Sequence, residues 1–373
     1  MNVAVIGGGV IGLSLAFELS QRSHQVSVFE TGEVGKKASW AGAGALLPAN
    51  AETAQHPLEH LEALSNRLHS QWAESLRQFT DLDNGYRKSG GLYVASSPGE
   101  VATLAGSVNY WNERKIPIEV LDRQHLLSSY PELCPAMIQS QPFMSAYTPD
   151  ESQICNPWHL EALCSACQKL GARILPNTTV QSVESSSNSA ALKFGNETQS
   201  FDAVVWACGA WTEQAIGSML DIKGPAIVPV RGQMLLYLLD KKLELPIVNE
   251  GNRYIVSRDT GHVLVGATIE EVGFDETTTE SAVQQLASDA QRLIPALTPD
   301  RVLKSWAGLR PGTFDSFPFM GKLPDRQNLF VSTGHFKTGL QLSPGAAILM
   351  ADLIEGKEPS IEMSPFDPSR VLV

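Results

Sequence analysis

The sequence predicts an α/β fold in which a mostly antiparallel β-sheet is inserted into a domain built around a parallel sheet. Three observations predict it: a strand, glycine turn and helix at the N terminus, a second such unit near the C terminus, and many strand patterns in between. The chain has 373 residues, a length that indicates two structural units with large cores.

The N-terminal segment VAVIGGGVIG, residues 3–12, has the pattern of a short buried strand, a glycine turn and the start of a helix. Gly7, Gly9 and Gly12 fit G-x-G-x-x-G, whose glycines allow a tight turn, close approach to a pyrophosphate and close helix packing. The helix start directs free N–H groups at phosphates. A Rossmann-type dinucleotide-binding domain is therefore predicted, with a glycine-rich turn in another α/β fold as the alternative.

A second strand, residues 25–30, ends in Glu30. An acid at this distance from the glycines binds the 2′-hydroxyl of an adenosine ribose, which favours FAD or NAD and disfavours NADP. The following segment, residues 31–47, is rich in small residues. It is typical of a backbone that runs close to an extended ligand, although an ordinary surface loop would also fit.

Apolar spacing predicts further helices and strands along the chain. The helices are expected at residues 58–79, 100–114, 122–129 and 280–294, and another is expected to start at residue 156 and to include the stripe from Leu160 to Cys167. Strands are expected at residues 90–95, 178–184, 190–194 and 201–207, and repeatedly from about residue 228. A turn of small residues at Gly209 follows one of these strands and is a second place where backbone meets the cofactor. Cys164 and Cys167 share a helical stripe, which favours core packing over a redox C-x-x-C motif.

Composition narrows the class of protein. The net charge is −12, from 28 basic and 40 acidic residues, and no basic block is present, so nucleic acid is not an expected partner. The five cysteines are scattered and odd in number, which indicates reduced thiols. No apolar run approaches the ~20 residues of a membrane helix, and the first strand leaves no room for a signal peptide. A cytoplasmic protein without membrane insertion is expected, and no metal site is predicted.

Two C-terminal stretches carry the predicted chemistry. In WAGLRPGT, residues 306–313, Arg310 precedes a proline, which favours extended backbone at Arg310. The planar guanidinium of Arg310 is suited to bind a carboxylate through two hydrogen bonds. A surface or ion-paired arginine is the alternative. GHFKTG, residues 334–339, follows a buried strand and precedes a helix predicted at residues 343–353. This second strand–turn–helix is an anion site, which in a flavoprotein faces the N1–C2=O edge of the ring.

These motifs, with GGLYVA, PVRGQML, RYIVSR and VLVGAT, occur in the order seen in the glycine oxidase family. That family belongs to the FAD-dependent D-amino acid oxidase and sarcosine oxidase superfamily, and the chain is similar to it from residue 3 to about 354. The resemblance implies a Rossmann-type FAD-binding domain with an inserted, mostly antiparallel β-sheet substrate domain. The FAD-binding domain is expected at residues 1–85, 150–222 and 305–362, and the substrate domain at residues 86–149 and 223–304.

The resemblance also implies the site residues. Tyr254 and Arg310 would hold the carboxylate of the substrate and are the predicted catalytic pair. Besides the N-terminal glycines and Gly209, the implied contacts of noncovalently bound FAD are Val10, Ile11, Glu30, Thr31, Ala38, Ser39, Ala43, Gly44, Ala45, Val180, His335, Phe336, Lys337, Thr338, Gly339, Leu340 and Gln341. The chain departs from the family pattern near the ring, where Lys337 and Thr338 replace arginine and asparagine and Ala45 and Ile269 replace methionine.

The implied reaction is oxidative deamination of glycine, a small amine or a small D-amino acid. A hydride passes to flavin N5, dioxygen becomes H2O2, and the imine hydrolyses to glyoxylate and ammonia. A role in making the thiazole of thiamin and a homo-oligomeric state are implied in the same way. Three alternatives remain: a D-amino acid dehydrogenase-like flavoprotein that reduces a quinone or another acceptor, the oxidase module of a tRNA-modifying protein, and a non-catalytic Rossmann scaffold.

Overall fold

The computed structural model describes residues 1–371 and contains two main sheets. The first, here called the parallel sheet, has six strands, of which only Phe319–Lys322 runs antiparallel to its neighbour. In spatial order the strands are Phe319–Lys322, Leu329–Thr333, Ala203–Trp206, Asn2–Ile6, Gln25–Phe29 and Arg173–Leu175. The central strands are runs of apolar residues because both faces of the sheet are covered.

Alternate residues of the first strand enter different cores, as the two-residue period of a strand requires. Val3 and Val5 face a core of helices, whereas Ala4 and Ile6 face a core that includes a three-stranded sheet. The first side is formed by helices Val10–Gln21, Pro57–Thr80, Asn156–Lys169 and Gly339–Ile354. The second side is formed by strands Val180–Ser185, Ala190–Phe194 and Glu197–Phe201 and by helix Thr212–Leu220.

The second sheet, here called the large sheet, has eight strands and is mostly antiparallel, as predicted. In spatial order the strands are Val302–Gly312, Val228–Leu238, His262–Gly266, Arg253–Ser257, Ile247–Glu250, Gly91–Ala95, Met144–Thr148 and Glu119–Val120. Helix Glu280–Leu293 covers one face through Leu286, Ala290 and Leu293. The opposite face is left to line a cavity.

Smaller elements connect these layers. The remaining helices are Ala38–Ala41, Pro98–Glu113, Arg123–Ser129 and Pro135–Ile138, and a small sheet joins Ala45–Leu46, Ser152–Gln153 and Arg87–Lys88. Among residues 1–371, no helix combines the length and the apolar character needed to cross a membrane.

Two local expectations differ from the structure. The strand predicted at residues 201–207 is two strands, because Phe201 ends one hairpin strand and Ala203 begins the buried strand of the parallel sheet. The helix predicted from residue 343 begins at Gly339. Pro344 inside it cannot donate to the carbonyl of Leu340, but the Ser343 hydroxyl donates there instead at 2.9 Å.

The strand Val302–Gly312 belongs to the large sheet along its whole length. It pairs with Val228–Leu238 from one end to the other, so the domain boundary predicted at residue 305 divides a continuous strand. The strand carries Arg310, and its pairing therefore places this side chain on the large sheet rather than on the parallel sheet.

The cysteine pair of helix Asn156–Lys169 is core packing, as the sequence indicates. Cys167 is fully buried, and its Sγ lies 3.5 Å from the Leu13 carbonyl oxygen on the first helix. Burial raises the pKa of the Cys167 thiol, and Cys164 packs at the edge of the same core. All five cysteines are unpaired.

Candidate active site

A cavity of about 1330 Å3 lies between the carboxyl ends of the parallel strands and the free face of the large sheet. Turns that follow four parallel strands contribute to its wall: residues 7–11, 30–32, 207–211 and 335–341. The carboxyl edge of a parallel sheet is where α/β proteins bind extended cofactors. The cavity therefore lies where the N-terminal motif predicts a dinucleotide.

The glycine turn at residues 7–12 leaves room for a ligand to approach the protein backbone closely. Gly7 has φ +113°, and a Cβ there would lie 2.4 Å from the carbonyl oxygen of Ala207, so only glycine is accommodated. Gly9, Val10 and Ile11 line the cavity. Gly12 lies behind the wall and lets the helix pack against the turn, since a Cβ there would lie 2.0 Å from the Gly7 oxygen.

Glu30 is held in place at the cavity wall. Its two carboxylate oxygens accept hydrogen bonds from the backbone N–H groups of Gly8, at 2.8 Å, and Gly32, at 3.0 Å. The carboxylate keeps free lone pairs that can accept from ribose hydroxyls. The same cavity is lined by the predicted residues Thr31, Ala38, Ser39, Ala43, Gly44, Ala45, Val180 and Gly209.

The second strand–turn–helix contributes His335 to Gln341 to the wall. His335 is 3% exposed, and neither ring nitrogen has a hydrogen-bond partner among residues 1–371. Burial lowers the pKa of His335 to about 3, so the ring is neutral near pH 7. Buried polar groups are nearly always hydrogen-bonded, and an unpaired imidazole beside a cavity therefore fits a polar ligand such as a flavin ring.

Arg310 and Tyr254 lie together on the free face of the large sheet. The Arg310 guanidinium lies over Gly232, where a Cβ would approach it to 2.2 Å, and its Nη1 donates to the Thr268 carbonyl oxygen at 3.1 Å. No described carboxylate pairs with it. Burial raises the pKa of Tyr254, while the charge of Arg310 opposes the rise. The pKa of Lys337 is lowered by burial and by Arg310, so this corner attracts an anion.

The structure brings together all the predicted site residues except Gly12 in one cavity wall. It also adds residues that the sequence did not indicate. Helix Pro98–Glu113 closes the far end of the cavity with Trp111, next to Tyr93 and Asn249. At the mouth, Lys37 forms an ion pair with Glu276 at 2.6 Å. Tyr93 lies in GGLYVA, but its strand pattern does not reveal which face meets a cavity.

FAD fits this donor set. The glycine turn leaves room for a pyrophosphate, Glu30 is fixed for an adenosine ribose, and an unpaired His335 lies beside a helix N terminus. Among residues 1–371 no cluster of side chains has the composition of a metal site.

Comparisons with known proteins agree with this geometry. Residues 2–353 match the family described as DAO, FAD dependent oxidoreductase. The glycine oxidase of Geobacillus kaustophilus is 32% identical over 99% of this chain and 97% of its own length. A crystal structure of glycine oxidase from the same organism superposes on this chain with a TM-score of 0.90. The two chains are 33% identical, and the match covers 99% of this chain and 98% of that one.

A bifunctional protein ThiO/ThiG of Synechocystis sp. is 31% identical over all of this chain and 54% of its own length. The family match covers nearly all of this chain, the glycine oxidase of Geobacillus kaustophilus matches nearly all of both chains, and the two folds superpose over nearly their whole length. The chain is therefore an FAD-dependent enzyme of the DAO family, and within that family it belongs to the glycine oxidases.

Proposed function

We propose that this protein oxidises glycine, or a comparably small amino acid, with noncovalently bound FAD as cofactor and dioxygen as oxidant. The observation that carries the proposal is the partly buried guanidinium of Arg310. It has no carboxylate partner among the described residues, and it lines the 1330 Å3 cavity beside Tyr254. The glycine oxidase relatives support glycine as the substrate.

Arg310 and Tyr254 bind the substrate carboxylate in this proposal. The planar guanidinium donates two parallel hydrogen bonds, and the Tyr254 hydroxyl, which now contacts the Met234 sulfur at 3.3 Å, adds a third. The absence of a side chain at Gly232 allows the guanidinium to lie flat against the sheet. Fixing one end of a small substrate in this way aims its α C–H in one direction, and such orientation supplies a large part of the rate enhancement.

FAD, when bound, supplies the hydride acceptor and passes the electrons to dioxygen. The substrate amine must be uncharged, so the rate is expected to rise with pH through its ionisation. The ring of His335 is neutral near pH 7, so it does not compete with Arg310 for the substrate carboxylate. Glycine, dioxygen and water yield glyoxylate, ammonia and H2O2 once the released imine is hydrolysed.

The test is oxygen uptake by the purified holoenzyme with glycine, sarcosine and D-alanine. We expect uptake with matched amounts of H2O2 and, from glycine, glyoxylate. The same flavin-loaded protein carrying Arg310→Met is the control for binding through the carboxylate. Absence of uptake with all three substrates, while an artificial dye is reduced, would favour a dehydrogenase and refute the oxidase proposal.

We extend the proposal to the cellular compartment, the oligomeric state and the pathway of the enzyme. The unpaired cysteines support the cytoplasm as the compartment, and the family resemblance supports a homo-oligomer. The relative named ThiO/ThiG supports a role in supplying the imine for the thiazole of thiamin. A thiamin requirement of a deletion strain, relieved by the wild-type gene and not by Arg310→Met, tests this role.

A further inference from the structure

The cavity extends well beyond the space that glycine needs. Arg310 lies over Gly232 on strand Val228–Leu238, and Asn249 lies on Ile247–Glu250. These strands are separated by three strand spacings, which corresponds to about 14 Å across the sheet. Glycine, whose amine and carboxylate share one carbon, cannot span that distance, so glycine held by Arg310 does not reach the far end.

A row of paired residues leads from one end to the other. Asn249 is the register partner of both Tyr254 and Tyr93 on the neighbouring strands, and Tyr254 is in turn the partner of Gly266. Side chains on one face of such a row point the same way. Tyr93, Asn249 and Tyr254 accordingly all line the cavity, while Leu92, Val248 and Ile255 on the same strands pack into the core behind the sheet.

A buried carboxyl lies behind this far end. Glu151 is fully buried, and a Cβ at Gly91 would lie 1.8 Å from its Oε2, so the glycine provides the space for the carboxyl. Its Oε2 accepts from the Tyr93 hydroxyl at 2.6 Å, and its Oε1 accepts from the Asn249 Nδ2 at 3.3 Å. No described cation pairs with Glu151. Uncompensated buried carboxylates are costly, which makes an outside cation favourable here.

These bonds determine what the cavity presents to a ligand. A carboxylate can only accept, so Glu151 accepts hydrogen bonds from the Tyr93 hydroxyl and from an amide N–H of Asn249. What remains for a ligand is the Tyr93 oxygen lone pair, the second N–H of the Asn249 amide, and the Asn249 Oδ1, which receives no hydrogen bond from a described residue. The far end therefore presents two oxygen acceptors, with a carboxyl behind them that is negatively charged at alkaline pH, whereas the Arg310 end is cationic.

We propose that Tyr93 and Asn249 form a second subsite, oriented by Glu151, that binds an ammonium or other hydrogen-bond-donating group at the far end of an amine acid. The subsite rests on the proposed function, because Arg310 must hold the carboxylate at the other end. Trp111 supports its wall, with its ring packed edge-on against Tyr93 at 4.8 Å between centroids. The substrates that would use this subsite, besides glycine itself, are amino acids or N-substituted glycines with a distal amino group.

The test uses ligands that cannot be oxidised, so that binding is measured without turnover. Unbranched ω-amino carboxylates of five to eight carbons are compared by calorimetry with straight-chain carboxylates in which methyl replaces the ammonium. Burial raises the pKa of Glu151 to about 7, so pH 8.5 keeps both the carboxylate and the ligand ammonium charged. At the best length the ammonium ligand is expected to bind the wild-type holoenzyme about tenfold tighter or more.

Glu151→Gln and Asn249→Leu remove this preference in different ways. The glutamine can donate to the Asn249 oxygen and turn the amide N–H groups towards the cavity, and the leucine removes the acceptor. Both variants should bring the binding ratio close to one or reverse it. Glu59→Gln is the matched control, because Glu59 also accepts a tyrosine hydroxyl at 2.6 Å, from Tyr110, but lies outside the cavity; it should keep the wild-type ratio.

Three results would overturn the subsite: tighter binding of the methyl ligands to wild type, an unchanged ratio in Glu151→Gln and Asn249→Leu, or loss of the ratio in Glu59→Gln. Acetate separates this failure from that of the proposed function. If acetate binds in an Arg310-dependent way but the long ammonium ligands do not, the carboxylate site stands and the second subsite is wrong. If acetate binding does not depend on Arg310, both are wrong.

Discussion

Replacing Arg310 with methionine should abolish efficient binding of the substrate carboxylate. The guanidinium donates to the Thr268 carbonyl at 3.1 Å and lies beside the Tyr254 hydroxyl, and no described carboxylate pairs with it, so it can bind a ligand carboxylate. Two charge-assisted hydrogen bonds are worth about 1.5–3 kcal/mol each. Their loss is about 3–6 kcal/mol, and at 1.36 kcal/mol per tenfold this lowers kcat/KM about 10²–10⁴-fold. Arg310→Lys, which keeps the charge but loses the fork, should fall between wild type and methionine.

The assay is oxygen uptake over a range of glycine concentrations, together with the Kd of acetate from flavin difference spectra. Flavin content and Tm show whether each variant is folded and loaded. Because Arg310 forms no ion pair with a described residue, the methionine variant should remain folded. If Arg310→Met kept kcat/KM within threefold of wild type, or left acetate affinity unchanged, the assignment of Arg310 to the carboxylate would be refuted.

Three further outcomes are expected. Tyr254→Phe removes one hydroxyl from the carboxylate site and should raise KM for glycine about tenfold or more in oxygen-uptake assays, whereas an unchanged KM would exclude the contact. Gly7→Val places a branched side chain against the Ala207 oxygen and should yield protein with little FAD by absorbance at 450 nm; full occupancy would contradict the turn geometry. Burial raises the pKa of Glu355, but hydrogen bonds from Lys357, His24 and Arg22 lower it to about 2. The ionised Glu355 carboxylate therefore stabilises the fold above about pH 4.5, and this stabilisation is lost as the pH falls towards 2. Over that range the free energy of unfolding in urea should fall less in a Glu355→Gln variant than in wild type.

The parts of the site that the sequence reveals are those encoded locally. The turn at Gly7, the acid at Glu30 and the turn at His335 each follow a buried strand, and the carboxyl ends of parallel strands meet at one edge. A few consecutive residues are therefore enough to place these groups in one cavity. The residues lie far apart along the chain, but the parallel order of their strands is what brings them together.

The parts that the sequence does not reveal depend on pairing between distant segments. Tyr93, Glu151 and Asn249 meet only because strand Gly91–Ala95 pairs with Ile247–Glu250, and neither strand pattern specifies its neighbour. The strand that carries Arg310 likewise joins the large sheet through pairs with residues 228–237. The start of the last helix was also unpredictable, because a proline normally indicates a helix start, whereas here Ser343 satisfies the carbonyl that Pro344 leaves free.

The most direct test of the central claim is the visible spectrum of the purified protein without oxygen, before and after glycine is added. The account predicts a flavin band that bleaches with glycine, returns when air is admitted, and stays unbleached in Arg310→Met at the same glycine concentration. A flavin band that persists in wild type with glycine, sarcosine and D-alanine would contradict oxidation of small amino acids at this site.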